Sequence, residues 1–590
     1  MIISEMKTTK RFLLVLVLLT ISAVGRAQFT GTTNNGAFVI TGYTGPGGLV
    51  TIPGTTNGLP VIIGDYAFYG RRTLTNLTIM NGVTGIGSNA FNGCANLTGV
   101  TIPGSVTNIG NYAFNFCQSL TNVVISNGVF NIAEGAFRVT SIRSIIIPGS
   151  VTNIGPNAFD GCYYMTNVTI SNGVESIGSE AFFDCRMPSV FIPSSVLSVG
   201  VGAFEDNENL TNITVDVQNS NYASAGGVLF DKSLTTLVEH PGNGNGSFSY
   251  AIPCGVTRIG DSAFELCTLL NNVTIPDGVT SIGDNAFYIC THLPSIAIPG
   301  SVTNIGDSAL SYCYAMTNIV VDPINSNYAS AGGVLFDKTF RTLIRYPAGN
   351  TGSYSIPNSV VTIGDEAFQS ANLTTVMIPD TVTSIGAWAF GYSSLADVTI
   401  PGNVRNIGSD AFLNCQYLTN VTILNGVTNI DSWAFYACYG LTTVTIPASV
   451  QTIAVFAFGG CTSLTNVYCL GNAPTLVTTP FSDSSTVFSG DPGTIYYLPG
   501  TTGWTNTLGG MPTAVWKPRA QTDDASFGIT TNKFGFNITW ASGQTVVVEA
   551  STNLVNWQPV QTNMLTSGPV YFSDPAWTNY PGRFYRLRSP

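Results

Sequence analysis

Residues 101–125 read TIPGSVTNIGNYAFNFCQSLTNVVI, and variants of this stretch fill most of the 590-residue chain. Its most regular feature is an Ala-Phe pair, once Ala-Leu, that recurs every 22 or 23 residues except across two longer gaps. The second residue of the pair occupies fifteen positions: Phe68, Phe91, Phe114, Phe137, Phe159, Phe182, Phe204, Phe264, Phe287, Leu310, Phe368, Phe390, Phe412, Phe435 and Phe458. A period this short is typical of a solenoid, in which each coil buries its apolar face against its neighbours.

Each repeat contains a segment that predicts a β-strand. In residues 120–125, Leu120, Val123 and Ile125 are spaced to point inward, while the residues between them face solvent. A Pro such as Pro103, or an Asn-Gly pair, usually follows and ends the strand. In twelve of the fifteen units a Gly lies four residues before the Phe position, often followed by Ser, Asp or Asn. This pattern predicts an N-cap and one short helical turn that carries Ala-Phe.

The repeat resembles the BspA-type leucine-rich repeat family of bacterial and protozoan surface proteins. The resemblance covers residues 60–470 and implies a right-handed, mostly β solenoid with a role in adhesion or in binding proteins or matrix. It implies no catalytic residues. The predicted fold is therefore mainly β: a right-handed leucine-rich-repeat solenoid of about fifteen regular coils with two hairpin insertions, followed by a small β-sandwich-like module.

The two insertions are near copies of each other. The segment NSNYASAGGVLFDK occupies residues 219–232 and returns, with the same sequence, at residues 325–338. Each insertion, spanning about 215–250 or about 321–356, predicts a hairpin because short apolar runs flank a polar turn. Two hypotheses stand for them: protruding binding loops, or wider coils with a structural role, which also occur in the resembling family.

The N-terminus has the pattern of a secretory signal peptide. Lys7, Lys10 and Arg11 precede a short apolar run, and small residues lead to a cleavage site after Ala27. The predicted order of the chain is a signal peptide (1–27), an N-terminal cap (28–60), the solenoid (61–470), a C-terminal cap and connector (471–524) and a small all-β module (525–590). The protein is expected to be secreted, extracellular or displayed on the cell surface.

Alternating apolar and polar residues predict the strands of the C-terminal module. They lie at Phe534–Trp540, Thr545–Ala550, Trp557–Thr562, Val570–Ser573 and Arg583–Leu587. The stretch Glu549–Trp557 and the ending Phe584–Arg588 are similar to a C-terminal module of secreted proteins from environmental bacteria. That resemblance implies a role in surface sorting or attachment.

Composition excludes several classes of function. The net charge is −11, and no basic cluster follows the first thirty residues, which argues against nucleic acid as a partner. The sequence holds only two histidines, His240 and His292, and no Cys-x-x-Cys spacing, so no metal site and no cofactor are predicted. After the signal peptide no apolar run is long enough for a transmembrane helix. The chain is predicted to be non-enzymatic, and its oligomeric state is left open.

Ten of the twelve cysteines form one row. They lie three residues after the Phe position: Cys94, Cys117, Cys162, Cys185, Cys267, Cys290, Cys313, Cys415, Cys438 and Cys461. Equivalent side chains in a parallel stack point the same way and fit disulfide geometry poorly, so the row predicts buried free thiols. Thr140, Ala371 and Ser393 fill the slot in three shorter units, which indicates that it requires only a small residue.

Glu239 and His240 in the first insertion form a pair that suggests a catalytic or metal-binding fragment. The second insertion, however, carries Arg345 and Tyr346 at the corresponding positions. Because two near copies do not share the chemistry, neither role is predicted.

The outward strand positions give the candidate binding face. Uncharged hydrogen-bonding residues repeat there about every 4.8 Å, one coil apart. They are Asn76, Thr78, Thr101, Asn122, Asn167, Thr169, Asn212, Thr214, Asn272, Thr274, Thr399, Asn420, Thr422 and Thr445. A purely structural interpretation suffices, since Thr favours strands and stacked Asn side chains bond to one another. The functional hypothesis is a surface for a protein or glycan partner; the alternative is a structural envelope protein or one that binds an ordered surface such as ice. Trp388 and Trp433, each directly before Ala-Phe, form a smaller alternative patch.

Overall fold

The structure is a computed structural model that describes residues 28–242, 247–478, 486–530, 533–566 and 568–589. The predicted signal peptide lies outside the described residues. The chain divides into two compact units, Met1–Cys313 and Tyr314–Pro590. Trp577–Asn579 forms a single 3-10 turn, and no helix among the described residues has the length or apolar surface needed to cross a membrane.

Each coil contributes one strand built from the predicted Leu-x-x-Val-x-Ile segment, here called a long strand. In the first unit the long strands are Gly48–Ile52, Leu74–Ile79, Gly99–Ile102, Asn122–Ile125, Ser144–Ile147, Asn167–Ile170, Ser189–Ile192, Asn212–Val215, Phe248–Ala251, Leu270–Thr274 and Ser295–Ile298. In the second unit they are Asn318–Val321, Gly352–Ser355, Leu373–Met377, Asp397–Ile400, Asn420–Ile423, Thr443–Ile446, Asn466–Cys469, Thr494–Tyr497 and Met511–Val515, with Thr507–Leu508 at the edge. Paired long strands run parallel, with equivalent residues of the repeat opposite each other, and they form several sheets rather than one, since Asn122–Ile125 and Ser144–Ile147 belong to different sheets.

A second, shorter strand follows in each coil, here called a short strand. In the first unit the short strands are Leu59–Ile63, Val83–Ile86, Asn108–Ile109, Asn131–Ile132, Asn153–Ile154, Ser176–Ile177, Ser198–Val199, Arg258–Ile259, Ser281–Ile282 and Asn304–Ile305, and the N-terminal strands Phe29–Asn34, Ala37–Tyr43 and Thr55–Thr56 extend this row. In the second unit they are Thr362–Ile363, Ser384–Ile385, Asn406–Ile407, Asn429–Ile430, Thr452–Ala454 and Thr475–Val477. The core lies between the two rows.

The Ala-Phe segment is not helical, and the predicted helical turn is wrong. Its backbone N–H groups alternate between two partners: Phe68 donates to the carbonyl of Ala90 in the next coil (2.7 Å), whereas Tyr69 donates to Tyr66 in its own turn (3.0 Å). Tyr66, two residues before the Phe, has a φ of 56°, and most other coils repeat this left-handed residue. A helix needs consecutive right-handed residues, so bonds between coils replace bonds within a helix.

The Phe residues of the Ala-Phe pairs stack into ladders at the centre of each unit. In the first unit, from Phe68 to Phe204, successive ring centroids lie 4.8 to 5.7 Å apart and the ring planes differ by at most 18°. In the second unit the ladder runs from Phe368 to Phe458 and continues to Phe488, at 5.4 Å. These rings are almost completely buried. The stacked rings are therefore a continuous apolar contact between successive coils.

The predicted solenoid is confirmed, and it has about 19 turns. Its turns outnumber the fifteen Ala-Phe units because the coils at the ends and in the insertions lack that pair. Val487 and Phe488, for example, take the place of Ala-Phe in a coil beyond residue 470, where the sequence period ends.

Each insertion forms three strands rather than a single hairpin. They are Tyr222–Ala225, Val228–Asp231 and Thr236–Glu239 in the first insertion, and Tyr328–Ala331, Val334–Asp337 and Thr342–Arg345 in the second. Gly226 and Gly227, with φ values of 58° and 84°, form the tight turn of the predicted hairpin. The third strand joins the short strands, since Leu237 pairs in parallel with Ile259. The insertions are thus integral parts of the stack.

The C-terminal module is confirmed as a small sandwich of two sheets. One sheet contains Arg519–Gln521, Gly528–Thr530, Lys533–Thr539 and Val570–Asp574, and the other contains Thr545–Ser551, Gln558–Met564 and Phe584–Arg588. Phe536, Val548 and Phe572 belong to a core of its own.

The cysteines are free thiols, and eleven of the twelve are buried. At nine of the ten row positions, the thiol lies against the carbonyl of the Phe one coil earlier; Cys94 Sγ, for example, donates to Phe68 O at 3.2 Å. Thr140, in the same slot, lies 3.2 Å from Cys162 Sγ. Burial raises the pKa of the Cys94 thiol to about 12, which suppresses the reactive thiolate.

Replacing one rung of the ladder is expected to weaken the stack locally. Phe114→Ala should lower the free energy of unfolding by about 3–5 kcal/mol, because it removes a buried ring packed on two neighbours. Phe114→Leu should cost less, since Leu310 occupies this slot naturally. Urea unfolding followed by circular dichroism measures both. Phe116→Ala, at an exposed ring of the same coil, is the control, and an equal loss in that variant would contradict the prediction.

Thiol reactivity is expected to separate one cysteine from the rest. In native protein, Cys254 should react rapidly with a thiol reagent because it is exposed, while the eleven buried thiols react slowly. Unfolding without reductant should release all twelve. A near-zero count in the unfolded, unreduced protein would show instead that the cysteines are paired.

Candidate functional site

The long strands place the predicted face on the surface. Along Asn122–Ile125, the side chains of Val123 and Ile125 are buried, whereas Asn122 and Val124 are exposed. The same alternation holds in the other regular coils. All fourteen predicted residues lie on long strands; twelve are exposed, and Thr214 and Thr422 are half-buried.

The Thr residues at outward positions of adjacent long strands form a row, here called the Thr row, but it is shorter than the sequence suggests. In the first unit Thr51, Thr78 and Thr101 lie opposite one another on consecutive strands. In the second unit the run is Thr399, Thr422 and Thr445. Within each run, the β-branched side chains lie side by side at the strand spacing.

Apolar side chains interrupt the Thr row, and sequence reasoning missed them. Val124 lies opposite Thr101, Ile146 opposite Thr169, and Phe191 opposite Thr214. Their exposed fractions are 46%, 65% and 50%, which is high for residues of this type. The signal was present in the sequence, because each occupies the variable position of the Leu-Thr-Asn-Val-x-Ile segment.

The stacked Asn ladder forms on the short strands instead of the long ones. Asn131 donates from Nδ2 to Asn108 Oδ1 at 2.5 Å, and Asn153 donates to Asn131 at 2.7 Å. On the long strands, Asn76 accepts only a 3.3 Å bond from the Thr98 hydroxyl. The long-strand amides are thus largely available to a partner.

The long-strand face is almost uncharged. Of the outward residues on the described long strands, Asp397 alone carries a charge. The face therefore suits recognition by hydrogen bonds and apolar contact rather than by electrostatic attraction.

The model of the BspA type leucine rich repeat region, with six copies, matches residues 51–166, 152–238, 247–351 and 346–465. The chain belongs to the BspA-type leucine-rich repeat family. No curated protein sequence matches it.

Several solved structures are similar to this BspA-type chain. A leucine-rich cell surface protein from Faecalibacterium prausnitzii A2-165 is 24% identical, with a TM-score of 0.39, covering 79% of this chain and 97% of its own. A leucine-rich repeat protein from Eubacterium ventriosum is 26% identical, with a TM-score of 0.38 and coverages of 74% and 93%. The pneumococcal vaccine antigen PcpA is 17% identical, with a TM-score of 0.35 and coverages of 80% and 91%.

In this BspA-type protein His240 is a rung of the aromatic ladder. Its ring lies between those of Phe248 and Phe264, with both centroids at 5.1 Å. Burial lowers its pKa to about 4, so the ring is neutral. Tyr346 occupies the same place in the second insertion, where it stacks on Phe368 at 5.1 Å. The two insertions therefore use this position in the same way, for a ring stacked in the core.

Three carboxyl groups come together beside the first insertion, which the sequence did not predict. Glu239 is 4% exposed; its Oε1 accepts the Phe204 N–H at 2.9 Å, and its Oε2 has no hydrogen-bond partner in the described structure. Burial raises the pKa of Glu239 to about 8. Burial, with the neighbouring charges of Glu265 and Glu239, also raises the pKa of Glu205.

In the second insertion a cation occupies the buried position that corresponds to Glu239. Arg345, in the place of Glu239, donates from Nη2 to Glu366 Oε2 at 3.2 Å. In the described part of the first insertion no cation is paired with Glu239, and burial instead favours the protonated form of Glu205 and Glu239 at neutral pH. Across the described residues no three His, Cys, Asp or Glu side chains meet in an arrangement that could hold a metal ion.

Neutralising Glu239 is expected to stabilise the protein at neutral and alkaline pH. Because its folded-state pKa lies above the ordinary value of 4.5, ionisation costs stability as the pH rises from 4.5 through about 8. Glu239→Gln should therefore match the wild type at pH 4.5 and melt several degrees higher at pH 8.5. Thermal melts across this range measure the effect.

Glu175→Gln is the matched control, because Glu175 is exposed. It should follow the wild-type curve at every pH. A Glu239→Gln variant that is less stable than the wild type at pH 8.5 would contradict the prediction.

Proposed function

We propose that this chain is a secreted or cell-surface, non-enzymatic binding or adhesion protein that holds a protein or glycan partner on its long-strand face. Membership of a family of bacterial surface proteins supports the setting. The observation that carries the proposal is the long-strand face itself, where available amides and hydroxyls lie beside exposed apolar side chains.

The face has the physical properties of a recognition surface. Exposed Ile146 and Phe191 lie among hydroxyl and amide side chains, and apolar groups within a polar surround mark interaction sites. The inward residues of the same strands are buried in the core, so the outward side chains are held on a rigid sheet. Binding therefore orders little of the protein, and more of the contact energy appears as affinity.

The alternative, a structural envelope or ordered-surface binding protein, has less support. Binding ice or another lattice requires an uninterrupted array of equivalent groups. Ile146, Phe191 and Met377 break the Thr row on the described strands, leaving runs of three.

The absence of enzymatic activity also remains a proposal. His240 is a stacked core residue, and His292 is exposed, with its Nδ1 donating to the Thr268 carbonyl at 2.6 Å. Neither pairs with a carboxylate and a nucleophile in the way that acid–base chemistry needs. We further propose that residues 1–27 direct export and that residues 525–590 sort or attach the protein at the surface.

The decisive experiment measures binding of the full mature chain to panels of glycans and matrix proteins. We expect saturable binding that a triple variant, Thr78→Lys, Thr101→Lys and Thr169→Lys, weakens at least about tenfold, because each substitution introduces a charge that a partner must desolvate. The folded circular dichroism spectrum should be unchanged, since these side chains are exposed.

A second triple variant provides the control. Thr107→Lys, Thr152→Lys and Thr280→Lys place the same charges beside the short strands, where the side chains are also exposed. This variant should bind like the wild type. Equal losses in both variants, or none in the first, would remove the long-strand face from consideration; no binding on any panel would favour the envelope role.

A further inference from the structure

A cluster of aromatic side chains stands out on the turn side of the second unit. In most described coils the residues two before and two after the buried Phe are left-handed, and their side chains project outward. In the other coils, the residue two before the buried Phe is often Asn, Ser or Gly, as at Asn89 and Ser262. Among the fifteen repeats Trp occupies it only at Trp388 and Trp433, two coils apart.

The two Trp residues border a cavity of about 450 Å³. Tyr392, Tyr436 and Tyr439 contribute further walls. This volume falls within the range of small-ligand pockets, roughly 300–1,000 Å³. No lining residue is basic.

The rings are held in place by their own packing. The Trp388 ring lies 6.0 Å from that of Tyr392, with planes 17° apart, and Trp433 contacts Tyr436 edge-on at 4.4 Å. Phe456 packs against Trp433 at 4.4 Å. Gly391 allows Trp388 to lie over the turn, because a Cβ there would come within 3.2 Å of the indole. The cavity walls are therefore preformed.

Asp410 occupies the coil between the two Trp residues, in the same left-handed position. The three coils are spaced by 4.9 and 5.0 Å at their Phe rings, so the Asp410 coil lies midway between the two Trp coils, and Asp410 lines the same cavity as both indoles. It is half-buried, it makes no side-chain hydrogen bond within the described structure, and burial raises its pKa. A carboxylate in this setting is stabilised by a cation.

We propose that this cavity binds a quaternary ammonium group, with Asp410 as the counter-charge and the Trp and Tyr faces as cation–π partners. Indole is the strongest aromatic partner of a cation, and caged quaternary ammonium groups use several rings together. The site is separate from the long-strand face and does not depend on its function.

Other ligand classes fit less well. A primary ammonium group needs about three acceptors, whereas Leu413 and Ala437 give this cavity apolar lining beside a single carboxylate. A sugar could bond to Asp410, Asn414 and the tyrosine hydroxyls, but it is neutral and would leave the Asp410 carboxylate without a counter-charge. A quaternary ammonium group matches this lining because its methyl groups are apolar and its charged nitrogen has no N–H groups that require acceptors.

The test titrates choline into the full mature chain and follows tryptophan fluorescence and heat. We expect saturable binding that falls at least about tenfold in Asp410→Asn, which keeps the shape and removes the charge. Trp388→Ala and Trp433→Ala should show similar losses. Tyr66→Ala, at the same repeat position in the first unit, should bind like the wild type.

Two other ligands make the result specific. The neutral isostere 3,3-dimethyl-1-butanol should bind at least about tenfold more weakly than choline, because it has the shape without the charge. Methyl glucoside should not compete. Equal binding of the isostere, preference for the glucoside, no saturable binding of choline, or unchanged binding in Asp410→Asn would each overturn the proposal.

Binding to lipid vesicles shows whether the quaternary ammonium group comes from a lipid headgroup or from a free small molecule. Sedimentation with phosphatidylcholine vesicles, but not with phosphatidylglycerol vesicles, that is lost in Asp410→Asn identifies a lipid headgroup. Binding of choline without sedimentation identifies a free small molecule.

Discussion

Hydrogen bonds between successive coils run along three sides of the solenoid, and every other feature depends on them. Each long strand bonds to at least one adjacent coil, and the short strands and the alternating N–H groups around Phe68 also bond between coils. Because these bonds join equivalent positions, each residue of the repeat stacks on its own counterpart. The Phe ladder, the thiol row and the outward Thr and Asn rows are consequences of that register.

The same register explains how the interior remains satisfied. Nine of the ten row thiols donate to a Phe carbonyl, and most of these carbonyls also accept a backbone N–H from their own turn, as Phe91 O does from the Cys94 N–H, so Cys serves both as a small apolar residue and as a donor. The first insertion interrupts the repeat, and there buried polar groups lack partners within the described structure. Glu205 and Glu239 are then buried without a cation and keep their protons, whereas Arg345 restores the pairing in the second copy.

Much of the fold was predictable because the Ala-Phe period fixes the coil and strand alternation fixes which residues face inward. The non-helical turn was not predictable, since a left-handed Tyr66 or Trp388 leaves no mark in composition. Phe488 was hidden because Val487 replaces the expected Ala. The predicted residues do face outward, but their setting among Val124, Ile146 and Phe191 was not predicted, because these three occupy the variable position that the polar consensus leaves undefined. The Glu239 cluster depends on how the insertion folds back.

The outward left-handed positions have a consequence for the history of the protein. Their backbone is held by the ladder of bonds whatever side chain they carry, as Asn89, Trp388 and Asp410 show. A substitution there alters the surface without disturbing the interior. The scaffold can thus acquire a new specificity by exchanging a few residues on adjacent coils, so that duplication supplies the framework and point mutation supplies the chemistry.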